Sequence, residues 1–411
     1  MQILVLDTIH GGAVLGDALC RMGHSVDLID VYRGDCSHPG SISEKTASSR
    51  RYDLLVHPVH LDPSHPLLRS HTCPAITHHE AVRWILSPSS NPPTYGPHIE
   101  ITGARGKTST ATALASLMKG TGILHTSRGI CRYPGEECIT RMSITPASLI
   151  PVYSSRVPGD WSIAEISLGF TGLSDLAILT SDEDYRVAGG KLSALEIKER
   201  TGHSCGKILV PPGMNYVHNG VFDTGEITRI SGTSCSYAFN GITGSFENPL
   251  LAFESYQNPL RMAAAAALIL GYLPDKLSEF SPLPGRMNII TEDGVTILDN
   301  ASTGACLKTT RDAQKEIKKL SDTPYTLVIG QEARAVCENF PDDDICTAIK
   351  EGKPAEIILV GGDERMDIGK ISEFCQKMTV PITITNSLTE GMQAARNSAS
   401  RKILVSVKTW R

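Results

Sequence analysis

Residues 100–110 have the residue types and the spacing that bind the phosphates of a nucleotide. The segment reads EITGARGKTST and places Gly103, Gly106, Lys107 and Thr108 in one short turn. Glycines let backbone N–H groups point at phosphate oxygens, and the N-terminus of a following helix adds partial positive charge. Lys107 would reach the outer phosphates, and the Thr108 hydroxyl would hold Mg²⁺. The segment therefore predicts a nucleotide site.

The glycine spacing is shorter than in the general phosphate-binding loop. That loop has four residues between its two glycines, which would put the first glycine at position 101, where this chain has Ile101. The form present is G-x-x-G-K-T. An apolar strand precedes it and the helical stretch ATALASLMK follows it, which is the order that the motif requires. A chance glycine-rich turn is the alternative, and it is disfavoured because Lys107 and Thr108 stand in register.

Six further segments place polar residues after apolar strands or within helical stretches. They are WSIAEISLGFTG with Glu165, LAILTSDEDY with Tyr185, LSALEIKERTG with Lys198, ESYQNPLRMAAAAALILGY with Asn258, PLPGRMNII with Arg286 and ILDNASTGA with Asp299. A solvated surface acid is the ordinary interpretation of Glu165 or Asp299 taken alone. In this order, together with the glycine-rich turn, the segments resemble the motifs of the Mur ligase superfamily.

The resemblance implies an α/β fold with three domains. A Rossmann-like N-terminal domain would bind the substrate (1–96), a central P-loop ATPase domain would bind ATP (97–283), and a second Rossmann-like domain would complete the chain (284–411). It also implies an ATP-dependent ligase. In such an enzyme a substrate carboxylate attacks the γ-phosphate and becomes an acyl phosphate, and a second nucleophile then displaces the phosphate.

The resemblance further implies a role for each matching residue. The catalytic residues would be Lys107, Glu165, Lys198 and Arg286. ATP would contact Gly103, Ala104, Arg105, Gly106, Lys107, Thr108 and Ser109, with Asn258 at the base, Arg286 at a phosphate, and Asp299 at the ribose or at a hinge. Mg²⁺ would be held by Thr108 and Glu165, with Tyr185 as a further candidate.

The chain departs from the superfamily pattern at two histidine positions. Tyr185 and Ser302 stand where other members carry histidine, so a nucleotide-binding regulator without catalysis is one alternative. Lys198 stands where many members carry a carbamylated lysine. Lys191 is the alternative modification site, because the spacing to Lys198 is slightly short.

Four other segments resemble one branch of the superfamily found in methanogens. They are the opening MQILVLDTIHGGAVLGDALCRMGHSVDLIDVYRG, then HTSRGI, SITPAS and the C-terminal VSVKTWR. Members of that branch close a carbocyclic ring on a nickel tetrapyrrole, and nickel would enter with the substrate. The substrate carboxylates would then make Arg105, Arg128 and the N-terminal histidines candidate contacts. An amide-forming ligase of pseudomurein or another peptide is the alternative.

The order of strands and helices supports three α/β regions. ILVLD, SVDLID, DLLVHP and CPAIT are predicted strands, and HHEAVRWIL is a predicted helix. The polar stretch Ser87 to Gly96 is a predicted linker, and Pro282 to Gly285 a predicted hinge. After the hinge, MNIITEDGVTILDN is a predicted hairpin, and YTLVIG, AEIILVGG, PITIT and KILVSV are predicted strands.

Composition limits the possible partners. The 411 residues are 41% hydrophobic and 20% charged, which suits a globular protein of two or three domains. The net charge of −5 disfavours a nucleic-acid surface, and no apolar run is long enough for a membrane span. The first residues lack the features of a signal peptide. We expect a cytoplasmic monomer or homodimer that acts on a small molecule.

Glycines, cysteines and histidines near the N-terminus raise three weaker hypotheses. Gly11, Gly12 and Gly16 have the wrong spacing for a dinucleotide site, although this turn could hold an acidic group of the substrate. The 11 cysteines include no C-x-x-C pair, which favours free thiols. Ten of the 13 histidines precede residue 100, and we interpret them as surface and pocket residues in preference to a metal site.

Overall fold

A computed structural model describes residues 1–34, 38–87, 94–320, 323–332 and 339–409. The chain forms two compact units. The first comprises Met1–Asn248 and Asn258–Glu279, and the second comprises Pro249–Gln257 and Phe280–Arg411.

The N-terminal part of the first unit contains a parallel four-stranded sheet of order β2-β1-β3-β4. Its elements are β1 (Gln2–Val5), α1 (Gly12–Arg21), β2 (Ser25–Leu28), α2 (Glu44–Ser49), β3 (Leu54–His57), α3 (Pro66–Ser70), β4 (Ala75–Thr77) and α4 (His78–Leu86). Helix α4 begins sharply because Thr77 and Glu80 form a reciprocal capping box. This start places His78 and His79 directly after β4.

The same unit contains an eight-stranded sheet of order β14-β13-β10-β5-β9-β6-β7-β8. Its strands and the helices between them are β5 (His98–Thr102), α5 (Lys107–Leu117), β6 (Gly122–Thr126), β7 (Gly129–Tyr133), β8 (Glu137–Thr140), α6 (Leu149–Ser155), β9 (Trp161–Glu165) and β10 (Leu176–Leu179). A short antiparallel pair, β11 (Arg186–Val187) and β12 (Leu192–Ser193), follows and leads into α7 (Ala194–Gly202). Strands β13 (Ile208–Val210) and β14 (Val221–Asp223) complete the sheet.

Strand β5 lies between β10 and β9, and it is parallel to both. The carboxyl ends of these three strands therefore meet at one edge of the sheet, where ligands of open α/β sheets bind. Among the described strands of this sheet, β7 alone runs in the opposite direction, and it pairs antiparallel with β6 and with β8.

The rest of the first unit adds α8 (Thr224–Ile227) and a small antiparallel sheet. That sheet consists of β15 (Thr228–Ser231), β16 (Ser234–Phe239) and β17 (Ile242–Glu247). Helix α9 (Glu254–Ile269) contains Pro259, and its residues from Asn258 onward belong to this unit. The antiparallel sheet was not predicted.

One apolar core joins the four-stranded and the eight-stranded sheets of the first unit. It contains Ile3 and Val5 of β1, Leu15 and Leu19 of α1, and Ala81 and Val82 of α4. It continues through Ala147, Leu149, Ile150, Ala164 and Ile166, which lie around α6 and β9. The N-terminal region therefore packs on the central region through buried side chains.

The second unit contains a six-stranded sheet of order β18-β19-β23-β20-β21-β22. Its elements are β18 (Asn288–Glu292), β19 (Val295–Asp299), α10 (Leu307–Leu320), β20 (Thr326–Gln331), α11 (Asp342–Gly352), β21 (Glu356–Gly361), α12 (Ile368–Lys377), β22 (Ile382–Thr385), α13 (Leu388–Arg396) and β23 (Lys402–Lys408). All neighbouring strands are parallel except β18 and β19, which form the predicted hairpin.

Most predicted elements are confirmed. The predicted strands coincide with β1 to β5 and β18 to β23, apart from one or two residues at their ends, and HHEAVRWIL is α4. The nine cysteines within the described ranges are free, as predicted. Of the predicted linker, residues 88–93 lie outside the described residues. Across the described ranges, none of the helices combines the length and apolar character needed to cross a bilayer.

Candidate functional site

The predicted phosphate loop joins β5 to α5 and depends on two glycines. Gly103 has a φ of 149°, and a Cβ there would lie 2.1 Å from Thr180 Oγ1. Gly106 is the N-cap of α5 in a left-handed conformation, with a φ of 79°. Both positions favour glycine because other residues rarely adopt these angles, and at Gly103 the space for a side chain is also missing.

Lys107 and Thr108 begin α5 beside the loop. Lys107 Nζ donates a hydrogen bond to the Gly103 carbonyl at 2.8 Å, so the ammonium lies across the turn. Thr108 is buried, and its Oγ1 lies 3.4 Å from Ser127 Oγ in the turn between β6 and β7. Ser109 is also buried in the first turn of the helix. The strand, turn and helix predicted from the motif are all present.

Two hydroxyl groups after β10 hold the loop in place, and sequence analysis assigned neither of them a role. Thr180 Oγ1 donates to the carbonyls of Thr102 and Arg105. Ser181 Oγ accepts the N–H of Ala104 at 2.9 Å. The signal was present in LAILTSDEDY, where a Thr-Ser pair directly follows an apolar strand, but only Tyr185 of that segment was singled out.

Glu165 ends β9, the strand next to β5. It is paired with Ile101 in register, so its carboxylate belongs to the edge at which the phosphate loop begins. The side chain is buried, with 1% of its surface exposed. A buried carboxylate at this edge is therefore placed within the same region as Lys107 and Thr108.

The two candidate lysines have different environments. Lys198 in α7 is fully buried, and its Nζ lies 4.5 Å from the centre of the Tyr185 ring. Lys191 is exposed, and its Nζ pairs with Asp62 and donates to Ser64 Oγ at 2.7 Å. Which of the two lysines is carbamylated stays a prediction.

Helix α7 is fixed by the acidic segment that precedes it. Asp184 accepts hydrogen bonds from Leu195 N at 2.9 Å and Ser193 Oγ at 2.7 Å, and Ser193 caps the helix. These hydrogen bonds, led by that of Leu195 N, lower the pKa of Asp184. Tyr185 is thereby held next to Lys198, and its role as a metal ligand stays a prediction.

Three other predicted contacts have protein partners. Arg105 forms an ion pair with Glu183, and Arg128 lies 3.9 Å from Glu136. Asn258 Nδ2 donates to the Thr180 carbonyl at 3.3 Å, beside the phosphate loop. Asn258 therefore lies next to the loop, and its predicted contact with the nucleotide base stays a prediction.

In the second unit, Asp299 organises the segment that contains Arg286. Its carboxylate accepts the N–H groups of Gly285 at 3.2 Å and Ala301 at 3.1 Å. Gly285 has a φ of 71°, and a Cβ there would lie 2.1 Å from the Ala301 carbonyl oxygen. Asp299 is therefore a structural link in this turn, and its predicted contact with ribose stays a prediction, as does the role of Arg286.

Histidines gather at the carboxyl edge of the N-terminal sheet. His10 follows β1, His60 follows β3, and His78 and His79 begin α4 after β4. His79 Nε2 lies 3.3 Å from the carbonyl oxygen of Ser167, two residues after Glu165. Gly11 packs on the SITPAS segment, since a Cβ there would lie 2.7 Å from Thr145 Oγ1. The edge thus borders the region of Glu165.

The residues around the loop suit Mg²⁺ bound together with a nucleotide. Magnesium prefers oxygen ligands and is usually held by one or two protein groups plus phosphates. The Thr108 hydroxyl and the Glu165 carboxylate are such groups. Within the described ranges, no cluster of three or more His, Cys, Asp or Glu side chains is arranged to hold a metal without such help.

Comparison with known proteins establishes the family. Residues 289–409 match the model of the family described as coenzyme F430 synthetase CfbE, C-terminal domain. The chain is 30% identical to the coenzyme F(430) synthetase of Methanosarcina acetivorans, over 100% of this chain and 99% of that protein. The chain belongs to the coenzyme F430 synthetase family. The resemblance found in the opening segment, HTSRGI, SITPAS and VSVKTWR is thereby confirmed.

Solved Mur ligase structures share the fold. MurF from Acinetobacter baumannii aligns with a TM-score of 0.56 at 15% identity, over 77% of this chain and 74% of that chain. MurF from Thermotoga maritima, solved in complex with ADP, aligns with a TM-score of 0.52 at 11% identity, over 99% of this chain and 91% of that chain. These matches confirm the predicted three-domain Mur ligase architecture, whereas the exact boundaries stay predictions. Together with family membership, the fold identifies an ATP-dependent ligase.

Proposed function

We propose that this ligase activates a carboxylate of a seco nickel-tetrapyrrole acid as an acyl phosphate and closes a carbocyclic ring, which yields coenzyme F430, ADP and phosphate. The observation that carries this proposal is the full-length similarity to a protein named coenzyme F(430) synthetase. The geometry of the phosphate loop supports the ATP-dependent half of the reaction.

The phosphate loop would bind the ATP phosphates. Phosphoryl transfer requires alignment of the attacking oxygen and neutralisation of charge on the phosphates more than covalent help from the protein. Lys107 is placed across the turn for that purpose, and the N-terminus of α5 points in the same direction. Thr180 and Ser181 keep the loop rigid, so its backbone need not reorganise when phosphate binds.

Thr108 and Glu165 would hold Mg²⁺, which supplies positive charge to the phosphate oxygens when bound. Lys198, fully buried in α7, would add an anionic oxygen ligand if it were carbamylated. Tyr185 covers its amine with a ring face, which shields that position from bulk water.

The second half of the reaction forms a carbon–carbon bond. A carbon of the substrate that has lost its proton attacks the acyl carbon, and the acyl–phosphate bond breaks. The carboxylate oxygen leaves with the phosphate. The product is therefore lighter than the seco acid by one water, and no amine is consumed. An intramolecular nucleophile also removes the need for an amino-acid pocket.

The test is phosphate release from Mg²⁺-ATP and the seco nickel-tetrapyrrole acid, with mass spectrometry of the tetrapyrrole and no amine present. We expect ADP, phosphate and a product lighter by one water in equal amounts. A reaction without the seco acid would measure background ATP hydrolysis. A Lys107→Ala protein would show that product formation depends on the loop.

An amide-forming ligase predicts a different result in the same assay. No tetrapyrrole product would form, and phosphate release would begin only after an amino acid or peptide amine was added. Binding of ATP with neither phosphate release nor product under any of these conditions would instead indicate a nucleotide-binding regulator. Either result would overturn the proposal.

A further inference from the structure

Asp7 and His10 form a carboxylate–imidazole pair at the carboxyl edge of the N-terminal sheet. Asp7 is fully buried and accepts the N–H groups of Ile9 at 2.8 Å and His10 at 2.7 Å. Burial alone would raise the pKa of Asp7, but the hydrogen bond with His10 is the largest cause that lowers it overall.

This pair orients the His10 ring. Its Nδ1 lies 3.2 Å from Asp7 Oδ1, so Nε2 is the ring nitrogen left for a further partner. A carboxylate that orients an imidazole in this way is the usual second partner of a metal-ligating histidine. His10 is 29% exposed, so solvent reaches its ring.

Two flat rings stand beside His10 in matching orientations. Tyr32 and His60 are stacked, with 17° between their planes and 5.8 Å between their centres. The His10 ring is almost perpendicular to both, at 77° to Tyr32 and 89° to His60. An imidazole bound axially to the metal of a planar macrocycle is also perpendicular to the macrocycle. The Tyr32–His60 pair is therefore oriented parallel to the face of such a ligand.

Two neighbouring histidines are wholly or partly buried. Burial lowers the pKa of His60 to about 4 and that of His78 to about 3. His78 begins α4, is 2% exposed, and its Nε2 has no hydrogen-bond partner among the described residues. A buried nitrogen without a partner in the protein leaves room for a polar group of a ligand.

The cluster does not form a complete metal site by itself. The described residues contain no group of three or more side chains arranged around one ion. A single histidine can supply one ligand to a metal whose other positions are already filled. A metal tetrapyrrole is such a ligand, because the macrocycle provides four nitrogens and leaves the axial positions open.

We propose that His10 Nε2 is an axial ligand to the nickel of the tetrapyrrole substrate, and that Tyr32 and His60 contact the face of the macrocycle. This inference rests on the proposed function for the identity of the substrate. The location fits, because His79 contacts the Ser167 carbonyl and Gly11 packs on Thr145, so the cluster borders the edge that carries Glu165. A macrocycle bound there would present its carboxylates toward the phosphate loop.

The test measures binding of the seco nickel-tetrapyrrole acid to the full chain without ATP. Binding is monitored through the visible absorption spectrum of the tetrapyrrole and through nickel X-ray absorption. We expect an axial nitrogen signature with the unaltered protein. His10→Ala should lose that signature and bind at least about tenfold more weakly, and added imidazole should restore the signature. His10→Gln provides a second variant if His10→Ala is poorly folded.

His24→Ala is the matched control. His24 is half-buried and packs 5.2 Å from the Trp84 ring, but it precedes β2 and so lies at the opposite edge of the same sheet. We expect its spectrum and affinity to remain those of the unaltered protein. A His10→Ala protein that folds, binds with unchanged affinity and keeps the axial signature would overturn the inference.

Failure of the inference and failure of the proposed function give different results. If the protein closes the ring but His10→Ala leaves the nickel spectrum unchanged, His10 is not the axial ligand. The proposed function then stands. If the protein binds the tetrapyrrole through His10 but forms no product with Mg²⁺-ATP, the reaction is wrong and the binding surface stands. Absence of any binding would overturn both.

Discussion

Lys198 Nζ lies 4.5 Å from the centre of the Tyr185 ring, over its face. By the motif resemblance, we expect Tyr185 at a histidine position of the Mur ligases and Lys198 at the position of their modified lysine. An ammonium over an aromatic face is stabilised by roughly 0.5–2 kcal/mol, depending on how far it is desolvated. The Tyr185 ring thus provides a partner for the unmodified Lys198 amine.

The first prediction concerns Lys198. Lys198→Ala should be nearly inactive in phosphate release, because the buried position would lose its functional group. If the lysine is carbamylated, enzyme prepared without CO₂ should also lose activity and regain it with bicarbonate, and intact mass should increase by one CO₂. Lys191→Ala is the control and should retain activity, since Lys191 is an exposed partner of Asp62. Full activity of Lys198→Ala without bicarbonate would remove the carbamate hypothesis.

The second prediction concerns Lys107. Lys107→Ala should keep the fold but reduce phosphate release by at least about 100-fold, which is the usual effect of removing one group that stabilises transition-state charge. Lys119→Ala changes an exposed lysine just after α5 and should behave like the unaltered enzyme. Circular dichroism and steady-state kinetics would measure the two effects. Near-normal turnover by Lys107→Ala would show that the phosphate loop has been assigned incorrectly.

The third prediction concerns the backbone at Gly103. Gly103→Ala should lower the free energy of unfolding by about 2–4 kcal/mol, since the new Cβ is strained by its φ and meets Thr180 Oγ1. Gly120→Ala is a control for strain alone, because Gly120 has a φ of 77° and nothing within 4 Å of an added Cβ. We expect Gly120→Ala to lower the free energy of unfolding by about 1 kcal/mol, measured by urea unfolding. Equal losses of unfolding free energy at both positions would mean that the Thr180 side chain moves aside freely.

The fourth prediction concerns the pH dependence of stability in the second unit. Asp363 is buried and accepts a hydrogen bond from Arg365 Nε at 2.8 Å and another from Gln331. The hydrogen bond from Arg365 is the main cause that lowers the pKa of Asp363 from 3.8 to about 2. A lowered folded-state pKa stabilises the protein above the unfolded value. This contribution is lost as the pH falls from 3.8 through about 2.

Urea unfolding of Asp363→Asn from pH 3 to 7 would measure this contribution. Above about pH 5 the variant should be less stable by roughly 1–2 kcal/mol, and the difference should shrink toward pH 3. Asp343→Asn is the control, because Asp343 is largely exposed and pairs only at the surface with Lys370. Its effect should stay below about 0.5 kcal/mol. A pH-independent difference for Asp363→Asn would assign the effect to packing.

The parts of the fold that local patterns encode could be predicted from the sequence. The phosphate loop was recognisable because Gly103, Gly106 and Lys107 are close in the chain, and the glycine angles at this turn depend on local geometry. Strands β1 to β5 and β18 to β23 were recognisable as short apolar runs between polar turns. Spacing alone could not show that Lys198 is buried and Lys191 exposed, because the two lysines lie on the same short stretch of chain.

The parts that depend on strand order could not be predicted. Thr180 and Ser181 reach the phosphate loop because β10 lies next to β5, although these strands are more than 70 residues apart in sequence. The Asp7–His10 pair was missed for a different reason. His10 was grouped with the other N-terminal histidines as a surface or pocket residue, and the burial of Asp7 beside it becomes visible only in the folded sheet.

The shared apolar core of the first unit has a consequence for the evolution of substrate choice. Side chains of α1 and α4 pack with Ala164 and Ile166 of the central region, so the N-terminal region is not a detachable module. A chimera that took residues 1–96 from another ligase would have to rebuild both sides of this contact or leave apolar surface exposed to water. We therefore expect substrate choice to change more readily through side chains at the rim of the existing sheet than through exchange of the whole N-terminal region.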